Sequence, residues 1–415
     1  PSIHRLFIYG SRDSEIKEFV IGKIRESIEL SEVFLNNVYR EEDINLLISI
    51  SFFIIVFLNF IAQTVFVEKY YWLNVVKNYG LISISVLLLI IFILSKHTRK
   101  SLIASLLIIL LAIVVSYYSA NPYAIIPWIL MVVNVDATNY KHLIKLWVIE
   151  IGILMLIVAI SYSIGWLDES RKILVRSDGA TRYSLGYIYT TFSANYFFHF
   201  TIFYIYIRTM AIRYSELLVL LIINYYVYDL TDTKAAFVVS VLSILLVVIL
   251  KIYNIRVTEN VYRVVNKYVL IVCTFIPIIL TYLYGMGYGV LDELNRVLTS
   301  RLQLGWNAIN IYNINLFGQK IEWVNETQYL SEIQYLYVDS SFLNILLNYG
   351  IVLLFLILLS FYLLGKLNFT KNLSYLIAIS MIGIHSMFDP QFLLIMYNPL
   401  IIMPGILLRR NMISN

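Results

Sequence analysis

The chain has 415 residues, 60% of them hydrophobic and 14% charged, with a mean hydropathy of +0.79 and a formal charge of +5. This composition excludes an ordinary soluble globule and reads as a polytopic α-helical protein whose main partner is the lipid bilayer. No basic tract points to nucleic acid, the single Cys273 offers no disulfide or thiolate site, and five scattered histidines lack metal-ligand spacing.

In residues 1–43, Ile16, Phe19, Val20, Ile24, Ile28 and Val33 recur at helical spacing among charged neighbours. That spacing predicts an N-terminal amphipathic helix on the cytoplasmic membrane surface or against the bundle. Residues 44–415 read as one transmembrane domain. Its twelve predicted spans are 44–67, 79–94, 102–118, 123–135, 146–164, 187–207, 217–230, 235–252, 268–285, 341–364, 373–387 and 391–408. Several are shorter than the roughly 20 residues that cross a bilayer, and Pro122 and Pro127 mark 123–135 as a broken or re-entrant helix. A long loop, 286–340, separates the ninth span from the last three. With both termini inside, 21 of the 31 Lys and Arg residues are cytoplasmic and 10 are outside. The positive-inside rule therefore predicts cytoplasmic termini and an extracytoplasmic long loop.

Three outer segments carry more polar groups than turns need. Segment 165–186 contains Arg171, Lys172, Arg176 and Arg182, and Arg182 leads through Tyr187 into a span with Thr190, Thr191, Ser193, Asn195 and His199. Thr190 and His199 read as helix–helix hydrogen-bonding groups, whereas Arg182 at the mouth of this polar face suits a bound phosphate. In Asp229-Leu230-Thr231-Asp232-Thr233-Lys234, Asp232 and Thr233 read as caps for the next helix. Lys234 has two readings, a snorkelling cation or one held by an anion at the helix start.

In the long loop, Leu291, Leu294 and Leu298 predict a helix over 290–302, with Arg301 on the stripe facing the protein and Arg296 pointing elsewhere. A guanidinium on a buried face needs an anionic partner, and a diphosphate supplies one. Asp339, at the mouth of the span after Val338-Asp339-Ser340, reads equally as an N-cap and as a base for a sugar hydroxyl. His385 and Asp389 lie one helical turn apart and are expected to pair.

Taken in order, these residues resemble the Wzy-type O-antigen, capsular and exopolysaccharide repeat-unit polymerases, which are related to the O-antigen ligases. The matching features are Arg182-x-x-x-Gly186-Tyr187, the Thr231-Asp232-Thr233-Lys234 turn, and Arg301-x-x-x-x-Trp306-x-Ala308. Gly318, Val338-Asp339-Ser340-x-x-Leu343 and Leu347-x-x-Gly350 then follow. The turn more often carries arginine where this chain has Lys234, and the ligases have histidine near the position of Asp339.

The resemblance implies a GT-C-like fold of about 12 transmembrane helices in the cytoplasmic membrane of a bacterium. It implies a glycosyltransferase that joins undecaprenyl-diphosphate-linked oligosaccharides on the outer face. Arg182 and Arg301 would clamp the diphosphate, Asp339 would activate the acceptor hydroxyl, and Lys234, Arg176, Arg296, Tyr187 and His385 would contact substrate. No metal or other cofactor is expected, and a chain-length regulator is a further candidate partner. The rival readings are a lipid-linked oligosaccharide flippase and an O-antigen ligase. A facilitator-type transporter fits less well, because only 16 residues are glycine and the longest loop is not the one after the sixth helix.

Overall fold

A computed structural model describes residues 41–167, 173–175, 179, 181–255, 257–324 and 335–409. The helix predicted within 1–43 falls almost wholly outside these residues, as do Arg171, Lys172 and Arg176. The first half contains α1 (Glu41–Ile61), α2 (Phe66–Lys69), α3 (Trp72–Leu94), α4 (Arg99–Ser119), α5 (Pro122–Asn134) and α6 (Tyr140–Ser163). A two-stranded antiparallel pair, β1 (Leu174–Val175) and β2 (Thr181–Arg182), precedes α7 (Phe192–Arg208), α8 (Tyr214–Thr231), α9 (Lys234–Ile252) and α10 (Glu259–Gly285). The long loop holds α11 (Val290–Val297) and α12 (Arg301–Tyr312). After it come α13 (Ser341–Leu364), α14 (Leu373–His385) and the short α15 (Gly405–Arg409).

Helices α1, α3, α4, α6, α9, α10 and α13 are long and apolar enough to cross a membrane. The chain is thus an all-α, multi-pass membrane protein. Among the described residues seven helices pass this test, where twelve spans were predicted; α5, α7, α8 and α14 are shorter or less apolar.

Helix α6 illustrates the pattern. Ile149, Ile153, Leu156 and Ile160 form an exposed stripe, while Leu143, Trp147, Ile151, Leu154 and Val158 are buried. An apolar outer stripe is stable only against lipid. Because lipid is as apolar as a leucine side chain, burial does little to drive helices together, and close packing and directional bonds fix the arrangement. Such bonds join distant segments here. Asn134 Nδ2 donates to the Leu88 carbonyl at 3.0 Å and Asn266 Nδ2 to that of Thr370 at 2.7 Å. Helix α7 packs on α6, α8, α9 and α14, and α10 packs on α12, α13 and α14.

The predicted span 391–408 is not a continuous helix. Turns lead into a 3-10 helix, Pro399–Ile402, and then α15. Phe392, Tyr397, Leu400, Ile401 and Met403 are buried, so the apolar run reflects enclosure by protein rather than by lipid. Irregular backbone at this depth requires internal partners. Trp147 Nε1 donates to the Ile395 carbonyl and Trp128 Nε1 to that of Ile401, each at 3.0 Å, and Asn398 caps the 3-10 turn.

The predicted single helix 290–302 breaks at Thr299 and Ser300, both left-handed with φ of 53° and 63°. Buried Asn295 explains the break, because its Oδ1 accepts the Leu302 and Gln303 amides, each at 3.1 Å. Two orphan donors of α12 thus find an acceptor that a continuous helix would have turned elsewhere.

The long loop is pinned to α13 at Gly350, where the helix departs from helical geometry with φ of 88° and ψ of 171°. The Ile351 and Val352 amides donate to the Asn315 and Leu316 carbonyls, both at 3.1 Å, and the Gln319 amide donates to the Asn348 carbonyl at 3.1 Å. Gly318, also at positive φ, touches the Asn348–Tyr349 backbone so closely that a methyl group would overlap it. Two glycines are needed because two backbones meet there, and both adopt a conformation costly for other residues.

Candidate functional site

The ends of three elements converge. Arg301 opens α12, Asp339 precedes the Ser340 N-cap of α13, and Asp389 lies in the turn after α14. Ser341 stitches two of them together: its amide donates to the Ser386 carbonyl at 2.9 Å, and its Oγ donates to the Asp389 carbonyl and accepts the Phe392 amide. The start of α13 and the 386–392 turn therefore share one position.

Arg301 Nε donates to Asp339 Oδ2 at 3.0 Å, with side chains 29% and 25% exposed. The anionic partner expected for this guanidinium is thus supplied by the protein itself. The Ser340 N-cap makes no side-chain cap bond, so Asp339 serves as the partner of Arg301 rather than as the N-cap. Among the described residues, the hydrogen bonding of Arg301 is confined to Nε, and its guanidinium carbon lies 6.0 Å from the centre of the Phe388 ring. A half-exposed pair of this kind contributes little to stability, about 0–1 kcal/mol. Its consequence is orientation, with both terminal nitrogens left for another acceptor.

Beside this pair lies a cavity of about 170 Å³, walled by Ile276, Pro277 and Leu280 of α10, by Leu294 and Leu298, and by Phe388. Arg301 and Asp339 are among its lining residues, so a single ion pair stands against apolar walls. Arg182 does not line it.

Arg182 is 5% exposed. Strand β2 sets its backbone, with Tyr183 donating to the Leu230 carbonyl at 2.9 Å. Its Nε donates to the Thr231 carbonyl at 2.7 Å and its Nη2 to Thr233 Oγ1 at 3.4 Å. A cation here meets the partial negative charge at the C-terminus of α8. Thr233 makes no side-chain cap bond to α9, and Asp232 sits left-handed at the C-cap of α8. The predicted capping role of this turn is therefore replaced by a seat for Arg182. Lys234, the first residue of α9, is exposed next to that seat.

Asp389 links the elements. Asn195 Nδ2 donates to its Oδ1 at 3.2 Å, and His385 Nε2 lies 3.3 Å from its Oδ2, the proximity expected from their spacing but without a hydrogen bond among the described residues. Burial pushes the Asp389 carboxyl up to about 6, against the opposing pull of Arg301, Asn195 and Arg182. Both arginines therefore act on one buried carboxylate. His385 is wholly buried and stacks on Phe198 at 4.2 Å, so it reaches the site only through Asp389. Thr190 Oγ1, Ser193 Oγ, Asn195 Oδ1 and Ser340 Oγ are buried without hydrogen-bond partners among the described residues.

Two expected contact residues lie elsewhere. Tyr187 is 3% exposed and packs in the core against Phe60 and Tyr196, because the chain has not yet entered α7 and folds it inward. Arg296 is 76% exposed and pairs with Glu293 of its own helix at 3.0 Å, a solvated surface charge. Arg176 lies outside the described residues. Sequence reasoning missed the Asn195–Asp389 bond, which joins positions 194 residues apart. The only local hint was a polar residue on the Arg182 side of α7. Comparison of the chain with family models, with curated proteins and with solved structures finds no match.

Proposed function

We propose that this protein is a polysaccharide polymerase of the Wzy type. It would join undecaprenyl-diphosphate-linked oligosaccharide repeat units on the outer face of a bacterial cytoplasmic membrane, with both termini in the cytoplasm. The observation that carries this reading is the Arg301–Asp339 pair on the wall of an apolar cavity between α10, α11 and α12. A lipid diphosphate has the same division, a greasy chain and an anionic head. Arg182 supports the reading through its influence on Asp389, the carboxylate that Arg301 also affects.

In the proposed step the acceptor hydroxyl oxygen bonds to the anomeric carbon of the growing chain. The anomeric C–O bond breaks, and its electron pair leaves on the lipid diphosphate. The hydroxyl proton passes to a carboxylate, with Asp339 as the base. Arg301 stabilises the charge that develops on the diphosphate, a contribution greatest where water is limited, and Arg182, outside the cavity wall, adds to the positive field through Asp389. Lys234 assists from the start of α9, and Asp389 with His385 holds the field between the arginines.

The test is a purified protein given defined lipid-linked repeat units, with and without EDTA. The expected product is a ladder that survives chelation and is lost in Arg182→Ala and Arg301→Ala protein that remains folded. Near wild-type ladders from both variants would remove the clamp. Movement of intact lipid-linked units across vesicles without new glycosidic bonds would favour the flippase reading.

A further inference from the structure

The polar groups on the other side of Asp339 have no part in holding a lipid diphosphate. We propose that Trp323, Tyr337, Asn344 and Asn348 form a saccharide subsite that seats a pyranose ring of the acceptor next to Asp339. The proposal rests on the glycosyl-transfer reading for the word acceptor, but its geometry stands independently.

Trp323 is tied to the base of the site by a line of side-chain amides. Its Nε1 donates to Asn348 Oδ1 at 3.3 Å, Asn348 Nδ2 donates to Asn344 Oδ1 at 2.9 Å, and Asn344 Nδ2 donates to the Val338 carbonyl at 3.4 Å. The line ends one residue from Asp339. Leu343 lines the apolar cavity, whereas Asn344 lies about 100° further round α13. The start of α13 therefore divides an apolar side from an amide-lined side.

The aromatic groups complete the arrangement. The Trp323 ring meets Tyr337 at 5.7 Å with an interplanar angle of 64°, and Tyr312 at 6.3 Å and 61°. Neither neighbour lies parallel to the indole, so among the described residues the Trp323 ring has no stacked partner. Trp323, Tyr337, Asn344 and Asn348 are half-buried. Burial raises the Tyr337 phenol above its ordinary value, and Asp339 and Asp389 add to the shift, so it stays a neutral hydroxyl.

A pyranose presents an apolar C–H face and a rim of hydroxyls. An amphipathic aromatic surface matches the face, and fixed amides that both donate and accept match the rim. A lipid tail would leave the second acceptor sites of the Asn344 and Asn348 amide oxygens unmatched. A bare anion would find no cation in this set. The docking of Gly318 against Asn348–Tyr349 holds the loop segment leading to Trp323 at a fixed place on α13. Such preorganisation lowers the entropy cost of binding a weak ligand.

The test is saturation-transfer NMR on the full chain in lipid nanodiscs. The probes are the methyl glycosides of glucose, galactose, mannose, N-acetylglucosamine and rhamnose. At least one glycoside is expected to bind the wild type. Trp323→Ala should weaken that binding at least tenfold, and Trp323→Phe should retain part of it. The Phe variant keeps the test decisive if the Ala variant fails to fold. No signal from any of the five, or unchanged affinity in the substituted protein, overturns the subsite. Sugar binding that depends on Trp323 in a protein that forms no ladder would sink the polymerase reading and leave the subsite standing. A ladder without such binding would do the reverse.

Discussion

Arg301 Nε donates to Asp339 Oδ2 at 3.0 Å, and this bond ties the first residue of α12 to the entrance of α13. One carboxylate thereby orients the guanidinium proposed to meet the diphosphate. Asp339 itself lines the cavity wall. Substituting either partner perturbs the other, so the two are separated by their different signatures.

Asp339→Asn is expected to lower polymerisation by about 10²–10⁴-fold, the usual range for removing a general base. Thermal stability should change little, because Asp339 is not the N-cap of α13. Turnover near the wild-type rate would leave it with positioning alone. Arg301→Lys keeps the charge but loses the planar fork. Its rate is expected to fall by roughly 10²–10³-fold, as when a fixed donor to a developing anion is removed.

Arg182 carries a structural load that Arg301 does not. Its bonds to the Thr231 carbonyl and Thr233 Oγ1 close the end of α8. Arg182→Ala is expected to lose activity and about 1–3 kcal/mol of stability, the latter from unsatisfied buried acceptors. Arg301→Ala should lose activity with a smaller shift. Comparing melting midpoints in detergent for the two variants checks this ranking, and equal midpoints would contradict it.

Gly350→Ala and Gly318→Ala should each release the long loop. Both residues sit at positive φ, and an added methyl group would overlap backbone of the opposing segment. The conformational strain alone is worth roughly 1–2 kcal/mol, and the overlap adds to it. The expected readout is faster proteolysis within the loop together with lost activity. A proteolysis rate equal to wild type would show that the loop is held elsewhere.

Asp389 gives a pH signature. Its folded-state value of about 6 lies above the ordinary 3.8, so the folded protein holds this proton more tightly than the unfolded chain. The resulting stabilisation is complete below about 4 and is lost as pH rises through about 6. Over that window the loss is on the order of 2–3 kcal/mol. Asp389→Asn should remove this component, making the variant less sensitive to pH than wild type between 4 and 7. Parallel stability curves for the two proteins would refute the assignment.

How much was legible in the sequence differs by residue. The closeness of His385 to Asp389 was, because a spacing of four fixes proximity on one helical turn. The anionic partner of Arg301 was anticipated as a need, but its identity as Asp339 was not, since 38 residues separate the two. Tyr187 turns into the core instead of towards a substrate, because residue type and loop membership say nothing about which way a side chain turns, whereas the leucine stripe did place Arg296 away from the protein. Asn295 broke a helix that its leucine pattern predicted, since an acceptor's choice of donors depends on the completed fold.

Hydropathy by itself determined that this is a multi-pass helical protein, because apolar length and lipid thickness are local quantities summed along the chain. It also read 391–408 as a span, since a run enclosed by protein and a run enclosed by lipid have the same composition. Only tertiary structure distinguished 391–408 from a true span, through the indole donors of Trp128 and Trp147. Only tertiary structure, likewise, brought Asn195, Asp389, Arg301 and Asp339 together. Their contacts depend on how helices cross, and in a uniformly apolar solvent that is set by packing and directional bonds rather than by hydrophobicity.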